Sequence, residues 1–339
     1  MKKTRPQSPP RRAPAGAPSV GDAIMNVFGI RAAGGADFDA IEKMLAAPAD
    51  PAAVRLSRLR EREKDEAKLL ALQASLRASP DDPALLEATA LCLRKLERKG
   101  EALEIYRRLG RVSPGRADIA HMIAALSGEA KPARASDDYV RQEFDAFADR
   151  FDETLTNWLD YRAPQLVADA VRAALGSGVV TASTIDLGCG TGLAAPLLRP
   201  LTRRLEGVDL SPRMLDKARA RGGYDALHEG EIGKFLSSRR GQYTLAVACD
   251  VFCYFGELAP AFTAVAAALK PGGIFAFTVE RHAGEGYALG ASGRYAHADA
   301  FARAAGDAAG LILAHAAEVT LRSELHRPVI GGCYLFRRP

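Results

Sequence analysis

Cysteine is scarce in this chain, five among 339 residues. Cys92, Cys189, Cys249, Cys253 and Cys333 include no C-x-x-C pair. An odd count without paired spacing argues against a disulfide framework and a zinc site, so no metal is expected and a reducing, cytoplasmic setting is. Long apolar runs are also missing. Nothing approaches the roughly 18 residues that would span a bilayer, and the basic N-terminus has no apolar segment of the kind a signal peptide carries. Neither sign of charge dominates the body of the chain. The formal net charge is +5, but Lys2, Lys3, Arg5, Arg11, Arg12 and Arg31 against Asp22 supply all of it before residue 35. The basic balance therefore belongs to a tail and points to no nucleic-acid surface.

What the sequence does have is one organising stretch, Thr184-Ile185-Asp186-Leu187-Gly188-Cys189-Gly190-Thr191-Gly192. A short apolar strand runs into three alternating glycines, which turn sharply and let a ligand come close. Leu193 to Leu198 then opens a helix, with Pro196 early enough to be tolerated. Strand, glycine turn and helix form a nucleotide-type cofactor site at the carboxyl edge of a parallel sheet. A second strand ends in Asp209, 21 positions after Gly188, near the roughly 20 expected for a carboxylate that accepts from a ribose diol. Ser211-Pro212 caps and starts the next helix.

The dinucleotide fingerprint G-x-G-x-x-G/A would put its last small residue at 193, where leucine stands, and the third glycine is at 192 instead. Asp186 just before the loop would repel a pyrophosphate. It would attract a cofactor carrying an ammonium and a sulfonium, which S-adenosylmethionine does. Asp186 to Gly192, followed by Gly207-Val208-Asp209-Leu210-Ser211, resembles motif I and the next acidic motif of class I S-adenosylmethionine-dependent methyltransferases. Leu269-Lys270-Pro271-Gly272-Gly273 is similar to the turn before their fifth strand. The resemblance covers residues 139–339. The whole chain is also similar to the bacterial predicted methyltransferases that contain a TPR repeat, through Asp250-Val251-Phe252-Cys253-Tyr254-Phe255-Gly256 and Ser292-Gly293-Arg294-Tyr295-Ala296-His297.

The resemblance implies a Rossmann-like α/β fold with a mostly parallel seven-stranded sheet, preceded by an α-helical TPR-like region. It implies S-adenosylmethionine as cofactor. Asp186 would face the ammonium end, Gly188, Cys189, Gly190 and Gly192 would form the loop, and Asp209 would take the ribose. Leu210 and Met214 would flank the adenine, Glu231 would face it, and Asp250 would stand at the mouth of the site. Substrate-side candidates are Tyr254, Arg294, Tyr295 and His297, with His297 either a base or the cap of the helix that follows, and Arg294 either an anion fork or the partner of an acid of the fold. A polar or anionic small molecule, or a protein, is the expected acceptor. Competing readings are a nicotinamide-dependent oxidoreductase and a TPR scaffold with an inactive methyltransferase-like domain.

Along the chain, residues 1–50 read as a basic, Pro- and Ala-rich tail, largely disordered, with a short helix near 37–45. Residues 51–130 read as helical. Pro80 and Pro114 lie 34 residues apart, the TPR period, which puts Leu86, Ala90, Leu93, Ala102, Tyr106 and Leu109 at packing positions. These helices would pack on the neighbouring domain or contact a protein partner. A linker at 131–138 leads to a domain at 139–339. Phe144, Phe147 and Phe151 recur on one helix face; core packing is expected for at least two of them, while the resemblance implies an aromatic-acid helix that closes over the cofactor. Strands are expected near 184–187, 204–209, 224–227, 243–249, 273–279, 311–320 and 331–337. The glycine-rich residues 284–293 are expected to be a mobile loop.

Overall fold

The computed structural model describes residues 51–129, 131–155, 159–324 and 327–339; the expected disordered tail and the helix near 37–45 lie outside the described residues. Four helices come first: α1 (Pro51–Ala78), α2 (Pro83–Lys95), α3 (Lys99–Val112) and α4 (Ala117–Ser127). Their ends follow from local chemistry. Asp82 accepts from the amides of Ala84 and Leu85 to start α2, with Pro83 in the first turn, a good N-cap arrangement. Gly128 ends α4 in the left-handed region at φ 67°. Leu86, Ala90, Leu93, Ala102, Tyr106 and Leu109 are all buried, so the apolar positions read at the 34-residue spacing form the interior of this helical region.

After α5 (Asp137–Phe147) and α6 (Ala163–Leu175), strands and helices alternate: β1 (Thr184–Leu187), β2 (Leu205–Asp209), α7 (Pro212–Arg221), β3 (Ala226–Glu229), α8 (Ile232–Ser237), β4 (Tyr243–Ala248), α9 (Ala259–Ala268) and β5 (Leu269–Arg281). The strands β3-β2-β1-β4-β5 run parallel in that order. β1 therefore has β2 on one side and β4 on the other. The connections reverse there, which opens a crevice beyond the strands' carboxyl ends.

Among the described residues the sheet has nine strands rather than the seven expected. β8 (Ile312–Glu324) and β9 (Arg327–Arg337) form the closing antiparallel pair, with β9 against β5. The additional two are β6 (Tyr287–Leu289) and β7 (Tyr295–His297), a small hairpin whose second strand pairs with Glu280 and Arg281 of β5. β5 runs on to Arg281 and leaves backbone groups that β7 satisfies. Residues read as part of a mobile glycine-rich loop are thus folded into the sheet.

One face of the sheet is packed by rings. Phe277 lies 4.7 Å from Phe275, 4.8 Å from Phe262, 5.5 Å from Phe252 and 5.3 Å from Tyr334 between ring centres, within the range where aromatic pairs attract beyond their area. Phe277→Ala would leave a void at the centre of this cluster. It should lower unfolding free energy by about 3–5 kcal/mol in a denaturant titration.

Candidate functional site

The glycine turn crosses the crevice where the strand order reverses. Gly188 has φ +64°, and a Cβ there would come within 2.6 Å of Val251, so the Asp250–Val251 turn after β4 presses directly on the loop. Gly190 has φ +53°, and its Cβ position has only the Phe151 ring edge, at 4.0 Å, within reach. One glycine is needed for packing and the other leaves open space. A cavity of about 280 Å³ lies here, close to the lower end of small-molecule sites, about 300 Å³. Gly188, Gly190, Asp209, Leu210, Glu231, Asp250, Tyr254 and Arg294 line it, eight of the residues singled out from the sequence.

Asp209 ties the loop to β2. Its carboxylate accepts from the Gly190 amide at 2.8 Å and the Ser211 amide at 2.9 Å. Burial raises its pKa, against these backbone bonds. A carboxylate has about four lone-pair sites, so these bonds do not exhaust its acceptor capacity. Asp186 lies beneath the loop instead of on the cavity wall. It is 1% exposed, accepts from Tyr224 Oη at 2.7 Å, and has its pKa pushed up to about 7 by burial and by the charge of Asp209. Cys189 is also turned inward, with Sγ 2.9 Å from where a Gly207 Cβ would stand. Gly192 abuts Tyr224 and Arg221. Glu231 lines the cavity while accepting from Lys234 N to cap α8, and Arg134 is 3.7 Å away.

Three residues expected at the site are elsewhere. Met214 is fully buried in the first turn of α7, its amide donating to the Ser211 cap, and does not line the cavity. Tyr295 is fully buried and its hydroxyl donates to the Pro132 carbonyl at 3.1 Å. His297 is fully buried, with Nε2 on the carbonyls of Phe255 and Gly256 at 2.8 and 3.2 Å and Nδ1 without a partner. Two carbonyl acceptors require a protonated Nε2, and burial drives the ring's pKa down to about 4. This imidazole faces backbone on the far side of the hairpin. Nor does it cap the next helix, whose N-cap Ala298 has no side-chain bond. The alternation that put Tyr295 and His297 on one face of β7 turned both away from the crevice.

Arg294 reaches the cavity already paired. Nε donates to Glu280 at 2.5 Å, Nη2 to Asp250 at 2.8 Å and Nη1 to Tyr254 Oη at 3.3 Å. Arg322 of β8, which sequence reasoning missed, is 3% exposed and donates to Glu280 at 2.7 Å and Glu324 at 2.7 Å, with Asp250 at 3.4 Å. Burial alone would raise the Asp250 carboxyl, but Arg294 and Arg322 hold it below the usual carboxylate range. Asp250 holds φ +59°, an uncommon conformation that its pairings fix. Asp250, Cys253 and Glu280 each bring a ligand atom within 4.8 Å of the others, but the two guanidinium groups occupy both carboxylates.

The outer wall is aromatic. Phe144, Phe147 and Phe151 all line the cavity, so the core-packing reading for two of them does not hold. Phe144 meets Tyr254 at 5.4 Å and Phe151 at 6.0 Å, and Phe147 meets Phe151 at 5.5 Å. Tyr139 and Tyr161 join the wall. Burial raises the pKa of Tyr254 and Tyr161 well above the ordinary tyrosine value, which keeps both neutral donors. The helical spacing read in the sequence brought the three phenylalanines together, although Phe151 stands beyond the end of α5. No local pattern marks Arg322, whose position depends on the register of β8.

Fold and site define an α/β protein built to hold a nucleotide-type ligand at a switch point. Comparison with known proteins narrows this class. Residues 185–277 match the family described as "Methyltransferase domain". Over this stretch the chain is similar to methyltransferase domains. Methyltransferase-like protein 27 of Homo sapiens is 40% identical over 92 residues, 27% of this chain and 37% of that protein; the match spans little over a third of the relative. Among solved structures, the [4+2]-cyclase SpnF aligns over 62% of this chain and 99% of its own at 18% identity, with a TM-score of 0.50. The Burkholderia thailandensis 1,6-didemethyltoxoflavin-N1-methyltransferase, solved with its substrate and S-adenosylhomocysteine, covers 62% and 92% at 17% identity, with a TM-score of 0.49. Structural likeness at such identities fixes the fold and not the reaction.

Two outcomes test the electrostatics. Arg294→Ala leaves Asp250 and Glu280 short of a buried partner, and should cost about 3–5 kcal/mol of stability in denaturant titration. Asp186 is protonated to a higher pH folded than unfolded, so its contribution to stability should fall as pH rises from about 4 to about 7. Comparing unfolding free energies across that window, Asp186→Asn should flatten the decline by up to about 1.4 kcal/mol per pH unit.

Proposed function

We propose that the chain is an S-adenosylmethionine-dependent methyltransferase that acts on a small molecule, with its methyltransferase domain at 139–339, a linker at 131–138 and a TPR-like helical region at 51–130 that packs on the domain and offers a surface to a protein partner. One observation carries the reading of the site. The Gly188–Gly190 turn and the Asp209 carboxylate open on the same cavity, which Phe144 and Phe147 of α5 and Phe151 just beyond it also line.

The residues suit this donor. Asp209 keeps acceptor directions for a ribose diol, Gly190 leaves the space that a close ligand needs, and Leu210 and Glu231 flank the position of a base. Asp186, beneath the loop and poised near neutrality, favours a cation above it. When bound, the donor supplies a methyl carbon activated by its sulfonium. The protein's work is then to align the acceptor, exclude water and hold neutral hydroxyls in place. Phe144, Phe147 and Phe151 exclude water, and Tyr254 and Tyr161 present fixed oxygens.

The expectation of an anionic acceptor rested on Arg294, whose three donor nitrogens are engaged with Glu280, Asp250 and Tyr254. With Arg322 likewise paired and rings on the outer wall, the site suits a neutral acceptor with an apolar face. Calorimetry with S-adenosylmethionine, set against fluorescence of added NADH, separates this reading from an oxidoreductase. Transfer of labelled methyl groups to cell-extract metabolites separates it from an inactive scaffold. In the same calorimetry, Asp209→Ala should weaken donor binding by about 1.5–3 kcal/mol, the scale of charged hydrogen bonds; unchanged affinity in a folded variant removes Asp209 from the ribose.

A further inference from the structure

The β6–β7 hairpin does not hang free over the crevice. Its turn is pressed onto α4 and held by backbone contacts. His121 of α4 is buried, and its Nε2 donates to the Gly293 carbonyl at 2.8 Å. The same ring stacks on Tyr139, 4.2 Å between centres and 21° between planes, and Tyr139 lines the cavity. Gly293 sits at φ +84°, and a Cβ there would lie 3.1 Å from both Met122 Sδ and Tyr139 Oη. Only glycine fits a turn that is both left-handed and this tightly covered. One residue earlier, the Ser292 carbonyl accepts from Arg94 Nη2 of α2 at 3.1 Å.

The next residue is Arg294. Its guanidinium holds the Asp250 carboxylate at 2.8 Å, and the Asp250–Val251 turn abuts Gly188 of the loop. A continuous chain of contacts therefore runs from the helical region to the glycine turn: His121, Gly293, Arg294, Asp250, Val251, Gly188. We propose that His121 is a positioning residue for the cofactor site, acting on the glycine turn through the hairpin and Arg294. It touches neither donor nor acceptor. The helical region is thereby part of the site's support, and a chain truncated before residue 131 would lack the clasp. The inference rests on the cavity being the donor site.

The decisive comparison uses the full chain and S-adenosylhomocysteine as the probe. His121→Phe keeps the ring and its stack on Tyr139 but removes the donor to Gly293. His121→Gln keeps an amide nitrogen near the position of Nε2. Calorimetry should show binding at least about fivefold weaker in the Phe variant, and recovery to within about twofold in the Gln variant. Amide exchange across Tyr287–His297 should quicken in the first and return in the second. Arg94→Gln, which removes the Ser292 contact together with a 3.4 Å bond to Tyr106 Oη within the helical region, should move both readouts in the same direction and carries the test should His121→Phe fail to fold. Loss of stability with affinity and local exchange unchanged per folded molecule would overturn the inference. A wild-type chain that does not bind the probe would overturn the donor reading and this inference with it. Wild-type binding that the variants leave intact would overturn the inference alone.

Discussion

Four buried charges hold the working end of this sheet together. Asp250 follows β4, Glu280 belongs to β5, Arg294 precedes β7 and Arg322 lies in β8. Each carboxylate meets both guanidinium groups. Any one of these ions alone would be expensive to bury, whereas the set is balanced and its geometry is hydrogen-bonded throughout. The strained turn at Asp250, the extension of β5 to Arg281 and the seating of the hairpin all depend on that balance. It also leaves both guanidinium groups that border the cavity paired with carboxylates.

The glycine loop works on a different principle. The amide at its centre, Gly190, is held by the Asp209 carboxylate, which also accepts from Ser211 at the start of the next helix. The loop and the entry to α7 are therefore one unit. The aromatic helix is joined to it by the Ser211 hydroxyl, which donates to Asp145 of α5 at 2.5 Å, and by Arg141, which donates to the Leu210 carbonyl at 3.3 Å. Loop and aromatic helix meet at the same few residues.

What could be read from the sequence was what is local. Thr184 to Leu198 announces a strand, a turn and a helix within fifteen residues, and Asp209 lies one crossover away, so strand order and crevice followed. The helical periodicity of α2 and α3 is equally local, and its six packing positions are buried. Contacts that depend on distant pairing could not be read. Tyr295 and His297 sit in the expected stretch, but which way a strand faces depends on its register, and the pairing of β7 with Glu280 and Arg281 turned them away. Arg322 had no motif at all. Glycines at 284, 286, 290 and 293 read as looseness, yet Gly293 is closely covered by Met122 and Tyr139.

The ionic set has a consequence for how this sequence can change over time. Asp250 and Arg322 are 72 positions apart and Asp250 and Arg294 are 44 apart, yet none of them can be altered singly without stranding a charge in the interior. Drift at these sites must proceed by joint replacement, either ion pair for ion pair or the whole set for apolar residues of equal volume. Relatives that kept the fold but changed their acceptor would be expected to keep all four residues or to lose them together, so that their joint presence marks lineages sharing this wall.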